Sequence, residues 1–316
     1  MAEKEKPMRK YKGSIIAAAV LALCFAGWFA VSRMETSNRY NTETEREDAV
    51  NIERGKIKMI EFESADDDFT LEQKDGKILL DGRDAVDEKT SEQLLKSLLK
   101  IDGRLIAENC SEDDLAQYGA DSPSARVRYV TENGETVLSL GKATPSKTEY
   151  YVIRDDGAVF SVYMGSANAL GTKRWQFMDM KLFSLPYEDI AEIKVEGSNA
   201  FTAVKQSAGV WKVSSENEGE YEVTDEKMRS EAGLYSENMF AKRAYRNTAE
   251  RRAEYGLETP EGAVTFTGKN GATARFEFRV DRKKKEAAVI KDGGDTIYIT
   301  VASYFGMSDI KKEDLT

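Results

Sequence analysis

The sequence predicts an α+β protein, in which an N-terminal transmembrane helix precedes two tandem homologous domains. Each domain is expected to be a mostly antiparallel sheet with one or two helices. Three observations lead to this fold class. An uncharged apolar stretch lies near the N-terminus, a short motif occurs twice at a fixed spacing, and many short segments alternate apolar and polar side chains between turns that contain glycine.

The apolar stretch covers residues 14–32, nineteen positions without a charged side chain. A helix needs roughly 20 apolar residues to cross the hydrocarbon core of a bilayer. Five basic residues precede the stretch, whereas only Arg33 and Arg39 follow it closely. The positive-inside rule then predicts a protein of the cell membrane, with a cytoplasmic N-terminus at residues 1–13, a single-pass helix at residues 14–32 and extracytoplasmic domains after it.

Three interpretations of this stretch are open. A retained signal anchor fits its length, because the apolar core of a signal peptide usually has about 7–15 residues. A cleaved signal peptide would use the small residues Ala30 and Ser32 at its cleavage site. A lipoprotein would use Cys24, although Leu23 stands where that processing needs a small residue.

Residues 33–56 are rich in charge and predict a polar stalk that lifts the domains off the lipid. The first repeat domain is then expected at residues 57–164 and the second at residues 189–316. Between them, residues 165–188 form an apolar connector.

A motif with the pattern Tyr-Gly-x-x-x-Pro occurs at Tyr118 and again at Tyr255, 137 residues later. A constant offset over several matching turns indicates one ancestral domain that was duplicated. The motif has a structural explanation, because glycine supplies the left-handed residue after a helix and proline cannot continue one. We therefore interpret these residues as a structural motif: Tyr118, Gly119, Pro123, Tyr255, Gly256 and Pro260.

Strands are predicted between these points. Residues 57–62 and 190–195 alternate in the manner of half-buried strands that open the two domains. The pair Asn133-Gly134 is a strong hairpin signal.

One helix is predicted near the start of each domain. Asp87 is positioned to cap an amphipathic helix, and Thr224 takes the same position in the second domain. The helix after Thr224 has the weaker apolar stripe, formed by Met228, Leu234 and Met239.

The connector carries more large apolar side chains than a flexible linker does. Among them are Trp175, Phe177 and Phe183. We expect these side chains to pack between the domains, which would fix the domains relative to each other, or to form a surface for a partner. The place where the two copies meet is therefore the first place to look for a functional surface.

Composition excludes several classes of function. The chain contains no histidine, which removes the commonest general base and every His-ligated metal site. A formal net charge of −10 disfavours nucleic acid as a partner. Cys110 is the single cysteine after the apolar stretch, so the domains have no intramolecular disulfide. No catalytic, cofactor-binding or metal-binding residue is predicted, and no enzymatic activity is expected.

The repeated motif and its surroundings resemble a bacterial family called domain of unknown function 4340. The family's typical stretch reads Leu-x-x-Tyr-Gly-Leu-x-x-Pro and continues into a strand that ends in Leu-Gly. In the first copy the resemblance is carried by Leu115, Ala116, Gln117, Tyr118, Gly119, Ala120, Pro123, Leu140 and Gly141. In the second copy it is carried by Tyr255, Gly256, Leu257 and Pro260, with Phe278-Arg279 in place of the Leu-Gly pair. The resemblance covers residues 57–310 and implies two tandem copies of the family's domain.

The resemblance implies a membrane-anchored envelope protein of a kind often encoded beside ABC transporter subunits, and it implies no catalytic residues. The expected function is an extracytoplasmic scaffold or interaction protein that is an accessory component of an ABC transporter-type assembly, with transporter subunits as partners. Two alternatives are open. One is a protein that binds a cell-wall polymer, and the other is a glycosidase that uses a pair of carboxylates.

Overall fold

Two large antiparallel sheets dominate the computed structural model of the protein. The structure describes residues 46–65, 67–86, 88–183, 185–206, 209–231, 239–309 and 311–315. Strands account for 49% and helices for 21% of it.

The fold class differs from the one predicted from the sequence. The structure is mostly antiparallel β-sheet rather than α+β, because its helices are short and cover only parts of the sheets. The longest described helix has 12 residues, and none of the described helices has the length and apolar character needed to cross a membrane. The helix predicted at residues 14–32 lies outside the described residues. The prediction of an α+β fold is therefore corrected to a mostly antiparallel β fold.

Ten strands form the first sheet: β1 Arg46–Asn51, β2 Ile57–Glu63, β3 Phe69–Lys74, β4 Lys77–Leu80, β5 Asp84–Ala85, β6 Lys100–Ala107, β7 Ala125–Thr131, β8 Gly134–Ala143, β9 Glu149–Arg154 and β10 Val159–Tyr163. Their order across the sheet is β1-β6-β10-β9-β8-β7-β2-β3-β4-β5. Most neighbours in this order follow one another in the chain, as expected for hairpins with short turns.

The second half of the chain forms a second sheet and a small ribbon. The strands are β11 Lys181–Phe183, β12 Ile190–Glu196, β13 Phe201–Lys205, β14 Val210–Ser215, β15 Gly219–Thr224, β16 Met239–Phe240, β17 Arg243–Arg246, β18 Gly262–Gly268, β19 Thr273–Asp281, β20 Glu286–Lys291 and β21 Thr296–Val301. The sheet order is β15-β14-β13-β12-β18-β19-β20-β21-β17, and β11 pairs with β16 in the ribbon.

The two sheets share one strand order. Strands β5-β4-β3-β2-β7-β8-β9-β10-β6 of the first sheet correspond, position by position, to β15-β14-β13-β12-β18-β19-β20-β21-β17 of the second. The first sheet has one further strand, β1, beyond β6. A residue of one sheet therefore has a counterpart at the same strand and register in the other.

Six α-helices are described: α1 Glu88–Leu99, α2 Glu112–Leu115, α3 Met164–Leu170, α4 Asp225–Glu231, α5 Ala249–Glu254 and α6 Lys312–Leu315. Five 3-10 segments accompany them: Arg54–Lys56, Ala116–Tyr118, Arg174–Phe177, Tyr187–Asp189 and Ala302–Asp309.

Helices α1 and α3 cover one face of the first sheet and enclose its core. Leu95 and Leu98 of α1 are 2% and 0% exposed. Tyr129 of β7 reaches the helix from the sheet, and its hydroxyl donates a hydrogen bond to the carbonyl of Leu98 at 3.0 Å. Complete burial raises the pKa of the Tyr129 phenol, so the hydroxyl keeps its proton and remains a donor.

Two expectations for local structure are corrected. Residues 46–51 of the expected stalk form β1, whose Ala49 and Val50 are buried in the first core. A β-bulge between Asp48 and Val50 interrupts the alternation of apolar and polar side chains along this strand. The sequence of the strand is also rich in charge, so it does not resemble a half-buried strand. In the second half, Met239 belongs to β16 rather than to the helix predicted through it.

Candidate functional site

The two sheets meet at a cluster of charged side chains, which we call the junction: Asp67, Asp81, Arg174 and Arg246. Asp81 lies in the turn between β4 and β5, Arg174 lies in the connector, and Arg246 ends β17. Asp81 accepts a hydrogen bond from Arg174 Nε at 2.8 Å and another from Arg246 Nη2 at 2.8 Å. One carboxylate therefore joins the first sheet, the connector and the second sheet.

Asp81 and Arg174 are well shielded from solvent. The side chain of Arg174 is 2% exposed and that of Asp81 is 10% exposed. Burial opposes ionisation of Asp81, but the hydrogen bond from Arg174 and a further one from the Thr70 amide outweigh it. The pKa of Asp81 therefore lies below its ordinary value, and the carboxylate stays charged at neutral pH.

Further contacts surround this pair. The backbone amide of Arg174 donates to Asp67 Oδ2 at 3.1 Å, and burial raises the pKa of Asp67 against that hydrogen bond. Arg246 Nη2 also donates to the carbonyl of Asp68 at 3.1 Å. A cavity of about 350 Å³ lies beside these groups. It is lined by Ser64, Ala65, Asp67, Asp68, Arg246, Thr248 and Arg251.

A second, exposed ion pair also crosses from one sheet to the other. Arg83 Nη2 lies 2.8 Å from Asp295 Oδ2, and the two side chains are 59% and 60% exposed. An exposed pair of this kind contributes only about 0–1 kcal/mol. Loss of one partner from the buried cluster at Asp81 costs more, because it leaves a buried charge uncompensated.

The aromatic residues of the connector are anchored in the two cores. Phe177 is 1% exposed and packs against Phe62 and Phe69 of the first core, with ring centroids 6.2 and 5.8 Å away. Phe183 is 6% exposed and packs on Phe266 of the second core at 4.7 Å. The expectation that both side chains lie between the domains or on a partner surface is corrected by these contacts.

Trp175 is half-buried in the 3-10 segment of the connector that contacts β17. Arg174, the residue before Trp175, is the member of the junction that the connector contributes. A single arginine in an apolar connector is a signal that could have pointed to this site, since a buried charge needs a partner.

The first Tyr-Gly-x-x-x-Pro motif closes the outer face of the first sheet, opposite α1. Gly119 has φ 95° and ends the 3-10 turn, with its amide bonded to the carbonyl of Ala116 at 3.0 Å. The ring of Tyr118 packs edge-on against Tyr151 of β9, with centroids 5.0 Å apart. Pro123 lies two residues before β7.

The second motif occupies the corresponding place on the second sheet but packs differently. Gly256 has φ 68°, and Pro260 lies two residues before β18. The ring of Tyr255 stacks on Tyr245 of β17 at 5.6 Å. Both motifs thus end a short helical segment and lead the chain into a strand.

None of the described side chains forms a group of three or more His, Cys, Asp or Glu residues that could hold a metal ion. The junction instead consists of ion pairs and hydrogen bonds, which connect the two sheets.

Fold and junction define a class of two-sheet β proteins whose halves are joined by a buried ion-pair cluster. A family model described as Domain of unknown function (DUF4340) matches residues 79–239, which is 161 of the 316 residues. The chain belongs to that family. The match is a single copy that runs from β4 through the connector to β16. No curated protein and no solved structure matches the chain.

Proposed function

We propose that the protein is a scaffold or interaction protein that works outside the cytoplasm, as an accessory component of an ABC transporter-type assembly. The observation that carries the scaffold role is the junction, where Asp81 binds Arg174 and Arg246 together. A scaffold has to hold two binding surfaces in a fixed relation, and a buried ion pair anchored on three segments is suited to do so.

The connector supports the same role. Phe177 holds it in the first core, and Phe183 holds it in the second. Inter-domain interfaces within a chain otherwise favour relative motion of the domains. Anchoring in both cores restricts that freedom, because the connector cannot move relative to either sheet without withdrawing an aromatic ring from a core.

We further infer that the two sheets derive from one duplicated unit. The shared strand order supports this inference, as does the return of the Tyr-Gly-x-x-x-Pro motif after 137 residues. The repeated unit begins at β1 in the first half, where β1 pairs with β6. In the second half β11 pairs in the same way with β16, the short strand that precedes β17, the counterpart of β6.

The transporter partner and the location outside the cytoplasm rest on the family resemblance of the repeated motif. They are tested by mild crosslinking of the full-length tagged protein in its own cells, followed by purification and mass spectrometry. We expect a permease or ATPase subunit of an ABC transporter to be recovered. Recovery of no such subunit, although the tagged protein itself is crosslinked, would contradict the proposal.

A matched pair of variants shows whether recovery depends on the junction. Asp81→Asn removes the charge that holds Arg174 and Arg246, whereas Asp295→Asn removes one exposed ion pair. We expect recovery to fall for Asp81→Asn and to persist for Asp295→Asn. Retention of the protein on isolated cell wall, together with no transporter subunit, would favour a wall-binding protein instead.

A further inference from the structure

A groove of about 670 Å³ opens on the outer face of the first sheet. Its floor is formed by side chains of β2, β7, β8 and β9, and its walls by the segment before the first motif and by the turn after β9. Pockets for small molecules usually have volumes of about 300–1,000 Å³. The groove therefore has the capacity for a ligand of the size of a short peptide.

Charged side chains are arranged in rows across this floor. Glu63 of β2 faces Arg126 of β7, and Arg126 in turn faces Ser139 of β8. In the next row Glu61 faces Arg128, and Arg128 faces Val137. Acids thus line one strand, guanidinium groups line the next, and uncharged side chains follow.

Some of these charges are already paired and others are not. Arg128 lies 3.2 Å from Glu61, and Arg154 lies 2.8 Å from Asp156. Among the side chains that the structure describes, Arg126, Glu63, Glu112 and Asp155 line the groove without an ion-pair partner within 4.0 Å. Asp155 accepts a hydrogen bond from the Val137 amide at 3.0 Å. The groove therefore offers to a ligand one guanidinium and the two carboxylates of Glu63 and Glu112, which lack such a contact among the described residues.

The corresponding face of the second sheet is different. Its register places Ala263 where the first sheet has Arg126, and Glu196 where it has Glu63. Glu196 is neutralised there by Arg275 at 2.7 Å and by Lys194 at 2.9 Å. The open charges at these two positions are thus found on the first sheet and not at the corresponding positions of the second.

We propose that the groove of the first sheet binds a short peptide that carries both an ammonium group and a carboxylate. The ligand carboxylate pairs with the Arg126 guanidinium, which offers two parallel donors. The ligand ammonium pairs with Glu63 and Glu112. A ligand with only one sign of charge is disfavoured, because it meets like charges from the opposite row.

This site is separate from the scaffold role, since it shares no lining residue with the junction and requires no transporter subunit. It is tested by isothermal titration of the full-length protein with a blocked tripeptide whose only charges are one lysine and one glutamate side chain. Two further peptides replace either the lysine or the glutamate by glutamine. We expect the doubly charged peptide to bind at least about tenfold more tightly than either singly charged peptide.

Variants assign the binding to the groove. We expect Arg126→Ala and Glu63→Gln each to weaken binding of the doubly charged peptide at least about tenfold. Both side chains are exposed, so their replacement leaves the core intact. Arg275→Ala, on the corresponding face of the second sheet, is the matched control and should leave the affinity unchanged. Absence of binding, equal affinity for all three peptides, or unchanged affinity of Arg126→Ala would each overturn the proposal.

Discussion

Asp81 connects three segments that are far apart in the chain. Its partners Arg174 and Arg246 lie 93 and 165 positions away. Because the Arg174 side chain is 2% exposed, it cannot exchange this carboxylate for water. Removal of one partner from a buried pair leaves an uncompensated charge, which is far more costly than loss of an exposed pair.

The first prediction concerns the stability of the junction. Asp81→Asn keeps the shape of the side chain and tolerates the left-handed backbone at this position, where φ is 52°. It removes the charge that compensates Arg174, so we expect the free energy of unfolding to fall by about 3–5 kcal/mol. Urea denaturation followed by circular dichroism measures the change. Asp295→Asn is the control, with an expected loss of about 0–1 kcal/mol. Equal losses of unfolding free energy in the two variants would show that the Asp81 charge is not the main contribution to the stability of the junction.

The second prediction concerns pH. Burial opposes ionisation of Asp81, but hydrogen bonds from Arg174 and Thr70 place its pKa in the folded protein below the unfolded value of about 3.9. The stability that Asp81 contributes is therefore present above about pH 4 and is lost as pH falls through the folded pKa. Asp67 has the opposite effect on the pH dependence of stability. Burial raises its pKa in the folded protein, so protonation at low pH removes the cost of burying its charge.

The Asp81 contribution is isolated by comparison of the wild type with Asp81→Asn. We expect the difference in unfolding free energy to be constant from about pH 7 to 5 and to shrink below about pH 4. Urea titrations at several pH values measure it. A difference that stays constant down to about pH 3 would mean that the Asp81 carboxylate is not stabilised by its partners.

Among the secondary-structure elements, the turn of the first motif depends on its fit against β8. A Cβ atom at Gly141 would collide with the carbonyl oxygen of Tyr118 and lie 3.1 Å from Ile153 Cδ1. In the second sheet, Arg279 follows Phe278 where Gly141 follows Leu140, and Tyr255 packs on Tyr245 instead. The close approach of the Tyr118 turn to β8 therefore requires a residue without a side chain at position 141.

The third prediction tests this fit. We expect Gly141→Ala to lower the free energy of unfolding by about 1–3 kcal/mol, because the Tyr118 turn has to move away from the sheet. The matched control is Gly165→Ala in α3, where a Cβ atom meets nothing within 4 Å and should stabilise the helix by about 0.4–1 kcal/mol. Thermal unfolding of both variants provides the comparison. If Gly141→Ala were as stable as the control, the close approach of Gly141 to the Tyr118 carbonyl would not contribute to stability.

Local sequence signals predicted some elements well. The hairpin at Asn133-Gly134 is confirmed, since β7 ends at Thr131 and β8 begins at Gly134. Thr224 accepts a hydrogen bond from the Lys227 amide at 3.2 Å, so its predicted place as a helix cap is also confirmed. These features depend on a few neighbouring residues, which is the range over which turn and cap preferences act.

Other elements could not be predicted because their stability comes from distant partners. Strand β1 is rich in charge and resembles a stalk, yet pairing with β6 buries its Ala49 and Val50. The junction has the same property. Arg174 is noticeable as the single arginine of an apolar connector, but the sequence does not show that its partner is Asp81, which the fold brings within 2.8 Å of it. Pairing over such sequence separations leaves no periodic signal in a single sequence.

At the scale of the whole molecule, two sheets with one strand order are joined by a connector that is buried at both ends. Arg174 of the junction lies three residues before Phe177 along the chain. This arrangement joins two sheets of one strand order into a single body with two outer faces. The arrangement of Arg126 and Glu63 on the outer face of the first sheet is absent from the corresponding positions of the second.

The rigidity of this pair is measured most directly by the distance between the two sheets in solution. Spin labels are placed at Glu132→Cys and Lys269→Cys, in corresponding exposed turns of the two sheets, in a full-length chain whose Cys24 and Cys110 are replaced by serine. Double electron–electron resonance then reports the distribution of distances between the labels. We expect one narrow distribution, as for a fixed pair of domains. A broad distribution, as for domains on a flexible linker, would contradict the scaffold that the junction is proposed to form.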